Sequence, residues 1–185
     1  YPGVDVEDLL ASVDAVVARG IVDTTRMYVG GCSGGGVLSS AVIGTTDRFA
    51  AAAVRCPVTN WISMAGTTDV PYFTHSFFRR PFWDDPTDWW RQSTLSRVGK
   101  VKTPTLLMTG ELDLRTPMAQ TEEYFAALKM RGVETVLLRF REEYHGTGSK
   151  PSNYMRTLLY MMDWYGRHAR GGEGAAAGDR TGSTP

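Results

Sequence analysis

Cysteine, histidine and net charge are all scarce in this chain of 185 residues. It has two cysteines and three histidines, and 20 acidic residues balance 20 basic ones. Two cysteines are too few for a disulfide scaffold, and Cys32 and Cys56 are interpreted as small buried thiols at the ends of strands. A balanced charge without a basic stripe argues against nucleic acid or an anionic membrane as a partner. The scattered histidines predict no metal cluster.

Long apolar segments are also missing. Runs such as residues 49–54 fall far short of the roughly 20 residues that span a bilayer, and no charged, apolar-cored signal segment opens the chain. We therefore expect a soluble protein with no membrane partner, whose compartment is undecided with the cytoplasm preferred. We expect the last residues, 169–185, to be a disordered low-complexity tail, because they contain little that could be buried.

The rest of the sequence, residues 1–168, alternates between helical and strand patterns. A first helix is expected with Asp5 as its N-cap and Gly20 at its end. Short apolar runs predict four buried strands, at residues 27–30, 50–56, 105–108 and 134–140. Three further helices are predicted: residues 37–43, a helix that begins at Thr116-Pro117 and runs to Met130, and a last one with Met155, Leu158, Leu159, Met162 and Tyr165 on one face. This alternation is typical of the α/β class, with a mostly parallel sheet between two helical layers.

An aromatic and proline-rich segment, residues 59–90, interrupts the alternation. It is either an insertion that packs on itself or the wall of an apolar substrate pocket, and aromatic side chains can serve both roles. The candidate pocket residues are Trp61, Phe73, Phe77, Phe78 and Trp83.

Glycines surround one serine in the sequence GGCSGGGV, residues 30–37. A phosphate-binding loop would need Gly-Lys-Ser/Thr, and the glycine spacing of a dinucleotide fingerprint is also absent, so both phosphate interpretations are excluded. Gly31 to Gly35 instead match Gly-x-Ser-x-Gly between a strand and a helix, where glycines permit a sharp turn that exposes Ser33 as a nucleophile. The backbone N–H of Gly34 would then help to hold an oxyanion. The alternative is that these glycines only allow close packing of strand and helix.

A serine nucleophile needs a base, and His145 is the candidate among the three histidines. It follows the fourth predicted strand and so lies at the same sheet edge as Ser33. His75 lies in the aromatic segment, and His168 lies at the end of the last helix. The alternative for His145 is an ordinary polar loop residue.

An acid that orients the base should lie between Ser33 and His145 in the chain. Two carboxylates follow the third strand, and Asp113 is preferred to Glu111 because it lies further into the loop that should face His145. The alternative for Asp113 is a turn residue or an ion pair with Arg115. The order serine, aspartate, histidine, each after a strand, is that of an α/β-hydrolase.

With these residues, the chain resembles the prolyl oligopeptidase family of serine peptidases, on its acylaminoacyl-peptidase and dipeptidyl-aminopeptidase side. The resemblance is carried by residues 1–36, 46–69, 103–133 and 143–153. It implies an α/β-hydrolase fold, cleavage of short peptides without a cofactor, and the roles of nucleophile, acid and base for Ser33, Asp113 and His145. Because some members of the family take esters, a carboxylesterase is the alternative enzyme.

The sequence departs from the family pattern in two ways. Cys32 and Gly34 flank Ser33 where the family commonly has glycine and an aromatic residue. The resemblance also implies a β-propeller, the first half of the hydrolase sheet and a His-Gly-Gly-type oxyanion loop, none of which is in this sequence. We therefore expect an unpaired edge on the first strand, which favours a homo-oligomer or association with the missing N-terminal half. A catalytically silent half-domain that acts as a binding or assembly module is the alternative from another functional class.

Overall fold

The computed structural model describes residues 1–169, so the predicted tail lies outside the described residues except for Ala169. The helices are α1 (Val4–Val17), α2 (Gly34–Ile43), α3 (Trp61–Thr67), α4 (Pro71–His75), α5 (Thr87–Gln92), α6 (Met118–Met130) and α7 (Pro151–Arg167). The strands are β1 (Tyr28–Cys32), β2 (Ala51–Arg55), β3 (Thr105–Gly110) and β4 (Thr135–Phe140), and short 3-10 turns lie at Thr24–Arg26 and Thr94–Lys100. Within this part of the chain, no helix is both long and apolar enough to cross a membrane.

The four strands form one parallel sheet in the order β1-β2-β3-β4. All six residues of β3 are buried, as expected of a strand covered on both faces. Alternate residues of the strands therefore enter two different cores. One lies between the sheet and helices α2 and α6, and the other lies beneath α7. The predicted α/β fold with a parallel sheet between two helical layers is confirmed.

Two local predictions about helices are wrong. The N-cap of α1 is Gly3, and Asp5 lies inside the helix, where its carboxylate accepts a hydrogen bond from the Gly3 N–H at 3.1 Å. In α7 four of the five residues of the predicted apolar face point outward, with Leu159 59% exposed, and of the five only Tyr165 packs on the sheet. The side of α7 that faces the protein carries Met161 and Trp164 against the sheet, and Asn153, near its start, donates a hydrogen bond to a buried carboxylate in the preceding loop.

The interpretation of the cysteines as thiols is also wrong, because Cys32 and Cys56 form a disulfide. The parallel register pairs Cys32 with Arg55, so Cys56 lies one residue beyond that pair at the same sheet edge. The two Cα atoms are 5.3 Å apart, within the range that a disulfide can bridge. In a chain-entropy account, closing a loop with a sequence separation of 24 residues stabilises the fold by about 3.5 kcal/mol.

Candidate active site

Ser33 occupies the sharp turn between β1 and α2. Its φ is 60° and its ψ is −119°, a conformation that is strained for a residue with a side chain. The turn is held on both sides, because the Ser33 N–H donates to the Arg55 carbonyl at 3.2 Å and the Ser33 carbonyl accepts from the Val37 N–H at 2.9 Å. The hydroxyl-bearing side chain therefore projects from a fixed backbone into a cavity at the carboxyl edge of the sheet.

Two of the glycines near Ser33, Gly31 and Gly36, are required by close backbone contacts. A Cβ on Gly31 would lie 2.6 Å from the backbone of Gly35, and a Cβ on Gly36 would lie 2.4 Å from the Arg55 carbonyl oxygen. The turn at Ser33 is therefore sharp, and the helix also packs closely on the strand. Gly34 begins α2, where backbone N–H groups have no acceptor inside the helix, and it lines the same cavity as Ser33.

His145 and Asp113 meet at this edge through a hydrogen bond of 2.8 Å between Nδ1 and Oδ2. The Asp113 side chain is fully buried, whereas the His145 side chain is 31% exposed and reaches the cavity. The other carboxylate oxygen, Oδ1, accepts the backbone N–H groups of Arg115 and Thr116, both at 2.9 Å. An ionised carboxylate only accepts hydrogen bonds, so the proton of a neutral imidazole is placed on Nδ1 and Nε2 is left as an acceptor.

Thr116, which was predicted only to stand at the start of a helix, contacts both members of the Asp113–His145 pair. Its hydroxyl lies 3.0 Å from Asp113 Oδ2, 3.3 Å from His145 Nδ1 and 3.0 Å from the Cys56 carbonyl oxygen, to which it donates. The observed N-cap of α6 is Pro117. The only indication in the sequence of the contact between Thr116 and Asp113 was their spacing, because Thr116 lies three residues after Asp113.

Arg115 does not form the ion pair with Asp113 that the sequence left open. Its guanidinium instead lies 2.8 Å from an oxygen of Asp69. The hydrogen bond from Arg115 lowers the pKa of the Asp69 carboxyl. The two charges therefore compensate each other at the rim of the cavity, which Arg115 lines.

A buried carboxylate, Glu143, fixes the loop that carries His145. It accepts hydrogen bonds from the Ser149 hydroxyl at 2.6 Å and the Asn153 amide at 2.7 Å, and from the N–H groups of Ser149 and Lys150. Burial by itself would raise the pKa of Glu143, but these hydrogen bonds lower it below its usual value. Glu143 was not predicted as a site residue, although its position two residues before His145 is evident in the sequence.

The cavity beside Ser33 has a volume of about 410 Å³. Its lining is mostly apolar and consists of Tyr1, Ser33, Gly34, Val37, Val58, Trp61, Met64, Val70, Phe73, Phe77, Arg115, Thr116 and His145. Three of the five predicted pocket aromatics, Trp61, Phe73 and Phe77, are among them. The segment thus packs on itself, through three short helices, and also forms a cavity wall.

The prediction that Phe78 and Trp83 line the pocket is wrong, because neither residue lines this cavity. Phe78 is buried behind the wall, where it stacks on Trp89 with ring centroids 4.0 Å apart. Trp83 is 66% exposed and contacts His75 and Phe82 by its edges. Phe78 therefore belongs to the core beneath the cavity wall, whereas Trp83 lies at the protein surface.

The model of the prolyl oligopeptidase family matches residues 1–172 of the chain. That range includes Ser33, Asp113 and His145. The chain belongs to the prolyl oligopeptidase family. The resemblance noted in the sequence is therefore confirmed, and the family is one of serine peptidases.

Curated relatives of this family member include acylamino-acid-releasing enzymes from plants. Enzyme 1 of Oryza sativa subsp. japonica is 36% identical over 175 residues, covering 89% of this chain and 22% of its own length. The Arabidopsis thaliana enzyme is 37% identical over 175 residues, covering 90% of this chain and 23% of its own length. This family member thus spans less than a quarter of the length of these relatives.

Solved structures agree with the fold. A puromycin-hydrolyzing peptidase of Mycobacterium tuberculosis is 30% identical with a TM-score of 0.83, over 92% of this chain and 26% of that one. An acylaminoacyl peptidase in complex with Z-Gly-Gly-Phe-chloromethyl ketone is 22% identical with a TM-score of 0.85, over 91% of this chain and 28% of that one, and shows the fold alone. The predicted α/β-hydrolase fold is confirmed by these likenesses.

The remaining histidines of this prolyl oligopeptidase family member lie away from the cavity. The ring of His75 packs against Trp83 and Trp89, and His168 contacts the Trp164 carbonyl and Glu134 at the end of α7. One group with metal-ligating atoms does occur in residues 1–169. The sulfur atoms of the disulfide Cys32–Cys56 and a ring nitrogen of His145 lie within 4.8 Å of one another.

Proposed function

We propose that this chain carries the catalytic centre of a serine peptidase that cleaves short peptides. The observation that carries the proposal is the buried Asp113 carboxylate bonded to His145, at the cavity that Ser33 enters from a strained turn. Ser33 is the nucleophile, His145 is the base, and Asp113 holds the imidazole in its tautomer.

Acylation begins when Ser33 Oγ attacks the scissile carbonyl carbon and His145 Nε2 takes the hydroxyl proton. The Asp113 carboxylate stabilises the imidazolium that forms. His145 then gives the proton to the leaving amine as the C–N bond breaks, which leaves an acyl ester on Ser33. Water attacks that ester with the same proton transfers, and the acid product leaves with Ser33 restored.

The negative charge on the former carbonyl oxygen is stabilised from the start of α2. The Gly34 N–H points from the first turn of this ten-residue helix, whose dipole also favours an anion there. Gly34 is the one donor that the proposal assigns in this chain. An oxyanion site that lacks one of two donors is slower by roughly 100- to 1000-fold.

The substrate side chain next to the scissile bond would enter the cavity of about 410 Å³. Trp61, Phe73 and Phe77 form an aromatic wall, and the guanidinium of Arg115, which also lines the cavity, is paired with Asp69. Such a lining favours an apolar or aromatic side chain.

Labelling with a fluorophosphonate probe tests the nucleophile. We expect the folded chain to be labelled, Ser33→Ala to lose the labelling, and Ser12→Ala, an exposed serine of α1, to keep it. Far-ultraviolet circular dichroism confirms that each variant is folded. Folded protein that resists the probe would contradict the proposal and favour the silent binding module.

Paired substrates separate a peptidase from an esterase. N-acetyl-phenylalanine p-nitroanilide and the matching p-nitrophenyl ester present the same side chain on an amide and on an ester. We expect turnover of both, with the phenylalanine compounds preferred to their lysine counterparts. Turnover of the ester alone would assign the chain as a carboxylesterase.

A further inference from the structure

The disulfide lies directly beside the candidate base. Cys32 immediately precedes Ser33, and Cys56 directly follows β2 at the same edge of the sheet. Their sulfur atoms and a ring nitrogen of His145 lie within 4.8 Å of one another. Thr116 bonds both to the Cys56 carbonyl and to the Asp113–His145 pair, so the loops that carry these groups are held in one place.

These three groups have the chemistry of a zinc site once the sulfur atoms are thiolates. Two cysteines and one histidine are a donor set that zinc prefers, and three protein ligands leave a fourth position open. In a tetrahedral site two thiolate sulfur atoms that are each about 2.3 Å from the ion lie about 3.8 Å apart. Once the disulfide is reduced, the two sulfur atoms would separate to that distance, and a side-chain rotation of His145 would bring its ring nitrogen onto the same ion.

We propose that reduction of the Cys32–Cys56 disulfide creates a zinc site that includes His145. A dithiol reductant supplies two electrons and two protons: its own thiols become a disulfide as the protein disulfide becomes two thiols. Zinc then displaces both thiol protons and binds two thiolates and the imidazole. The site exists in the reduced chain only, because disulfide sulfur offers no thiolate.

The surroundings suit this site. Cys56 is buried and Cys32 is half-buried, so uncompensated thiolates would be costly there, but two thiolates neutralise the charge of one divalent ion. The partly exposed ring of His145 leaves an entry path from the cavity. The bond from His145 Nδ1 to Asp113 is the kind of outer contact that orients a metal-bound imidazole.

Zinc would take the nitrogen that accepts the Ser33 proton, and so would stop nucleophile activation. This consequence rests on the proposed function, whereas the metal site itself does not. The oxidised chain would be active and indifferent to zinc, and the reduced chain would be inhibited by it.

Direct binding is the primary test. The chain is reduced, freed of reductant under argon and titrated with Zn²⁺ by calorimetry, and Co²⁺ is used in parallel because thiolate ligation gives an ultraviolet charge-transfer band. We expect one ion per reduced chain, bound at least 100-fold more tightly than by the oxidised chain, and no such binding by Cys56→Ser. His145→Asn should weaken binding at least 10-fold, whereas His75→Asn should not.

Equal affinity of the oxidised and reduced chains, an unaltered affinity in His145→Asn, or loss of the near-ultraviolet dichroism on reduction would overturn the proposal.

Fluorophosphonate labelling then tests the consequence. Zinc should abolish labelling of the reduced chain, a chelator should restore it, and the oxidised chain should label equally with and without zinc. Tight zinc binding with unchanged labelling would overturn the inhibitory role while supporting the site. If the oxidised chain does not label at all, the proposed function fails and the zinc titration still decides the metal site.

Discussion

Replacing Asp113 with asparagine should change which nitrogen of His145 carries the proton while barely changing the side-chain volume. Oδ1 of Asp113 accepts two backbone N–H groups, from Arg115 and Thr116, both at 2.9 Å. Only the oxygen of an asparagine amide could remain there, so the amide NH₂ would face His145. Nδ1 would then have to accept, and the ring proton would move to Nε2, which could no longer take a proton from Ser33.

The expected loss in labelling rate is about 10⁴-fold, the size of effect known for the corresponding change in another serine protease. At 1.36 kcal/mol for each factor of ten, this equals about 5.4 kcal/mol of lost transition-state stabilisation. The fold itself should lose less, about 1.5–3 kcal/mol, because one charge-assisted hydrogen bond to His145 is removed.

The assay is the second-order rate constant of fluorophosphonate labelling, with chemical denaturation to measure stability. Glu111→Gln is the matched control, since Glu111 is an exposed carboxylate on the same loop. Its labelling rate should stay within twofold of the unmodified chain. The reasoning is refuted if Asp113→Asn labels within tenfold of the unmodified chain, or if both variants lose the same rate.

Three further predictions concern the support of the site. In Gly110→Ala the new Cβ would lie 2.3 Å and 2.4 Å from the carbonyl oxygens of Glu143 and Tyr144, so we expect the free energy of unfolding, measured by denaturation, to fall by about 2 kcal/mol or more. The control is Gly166→Ala, which has open space around the new Cβ and should leave the free energy of unfolding unchanged or raise it by up to about 1 kcal/mol. Equal effects of the two variants would refute the contact at Gly110. Because folding lowers the pKa of Glu143, its carboxylate stabilises the fold above about pH 4.3 and loses that effect as the pH falls through the folded pKa. The Tm difference between the unmodified chain and Glu143→Gln should therefore shrink from pH 7 to pH 3, and a constant difference would contradict this. Trp89→Ala, which removes a fully buried ring, should cost about 3–5 kcal/mol in denaturation, and a loss under 1 kcal/mol would show that the core beneath the cavity collapses onto the gap.

The sequence by itself determined the class of fold and the candidates for the site. The apolar periodicity of a strand or a helix is set by residues that are close in the chain, so it can be recognised without the tertiary structure. Parallel strands joined by helices then bring all their carboxyl ends to one edge of the sheet. Ser33, Asp113 and His145 could therefore be chosen because each of them follows a strand. The glycines around Ser33 were informative for the same reason, because a sharp strand-to-helix turn requires small residues at neighbouring positions in the chain.

The tertiary structure alone decided what depends on contacts between distant segments. The Cys32–Cys56 disulfide follows from the register of β1 against β2, which no local pattern encodes. The orientation of α7 also depends on contacts with distant segments: Met161, Trp164 and Tyr165 pack on the sheet, and Asn153 donates a hydrogen bond to Glu143. The other four residues of the face that the helical period had predicted are therefore exposed. Which aromatic rings line the cavity was likewise settled by packing, because two layers of rings compete for one surface and composition does not rank them.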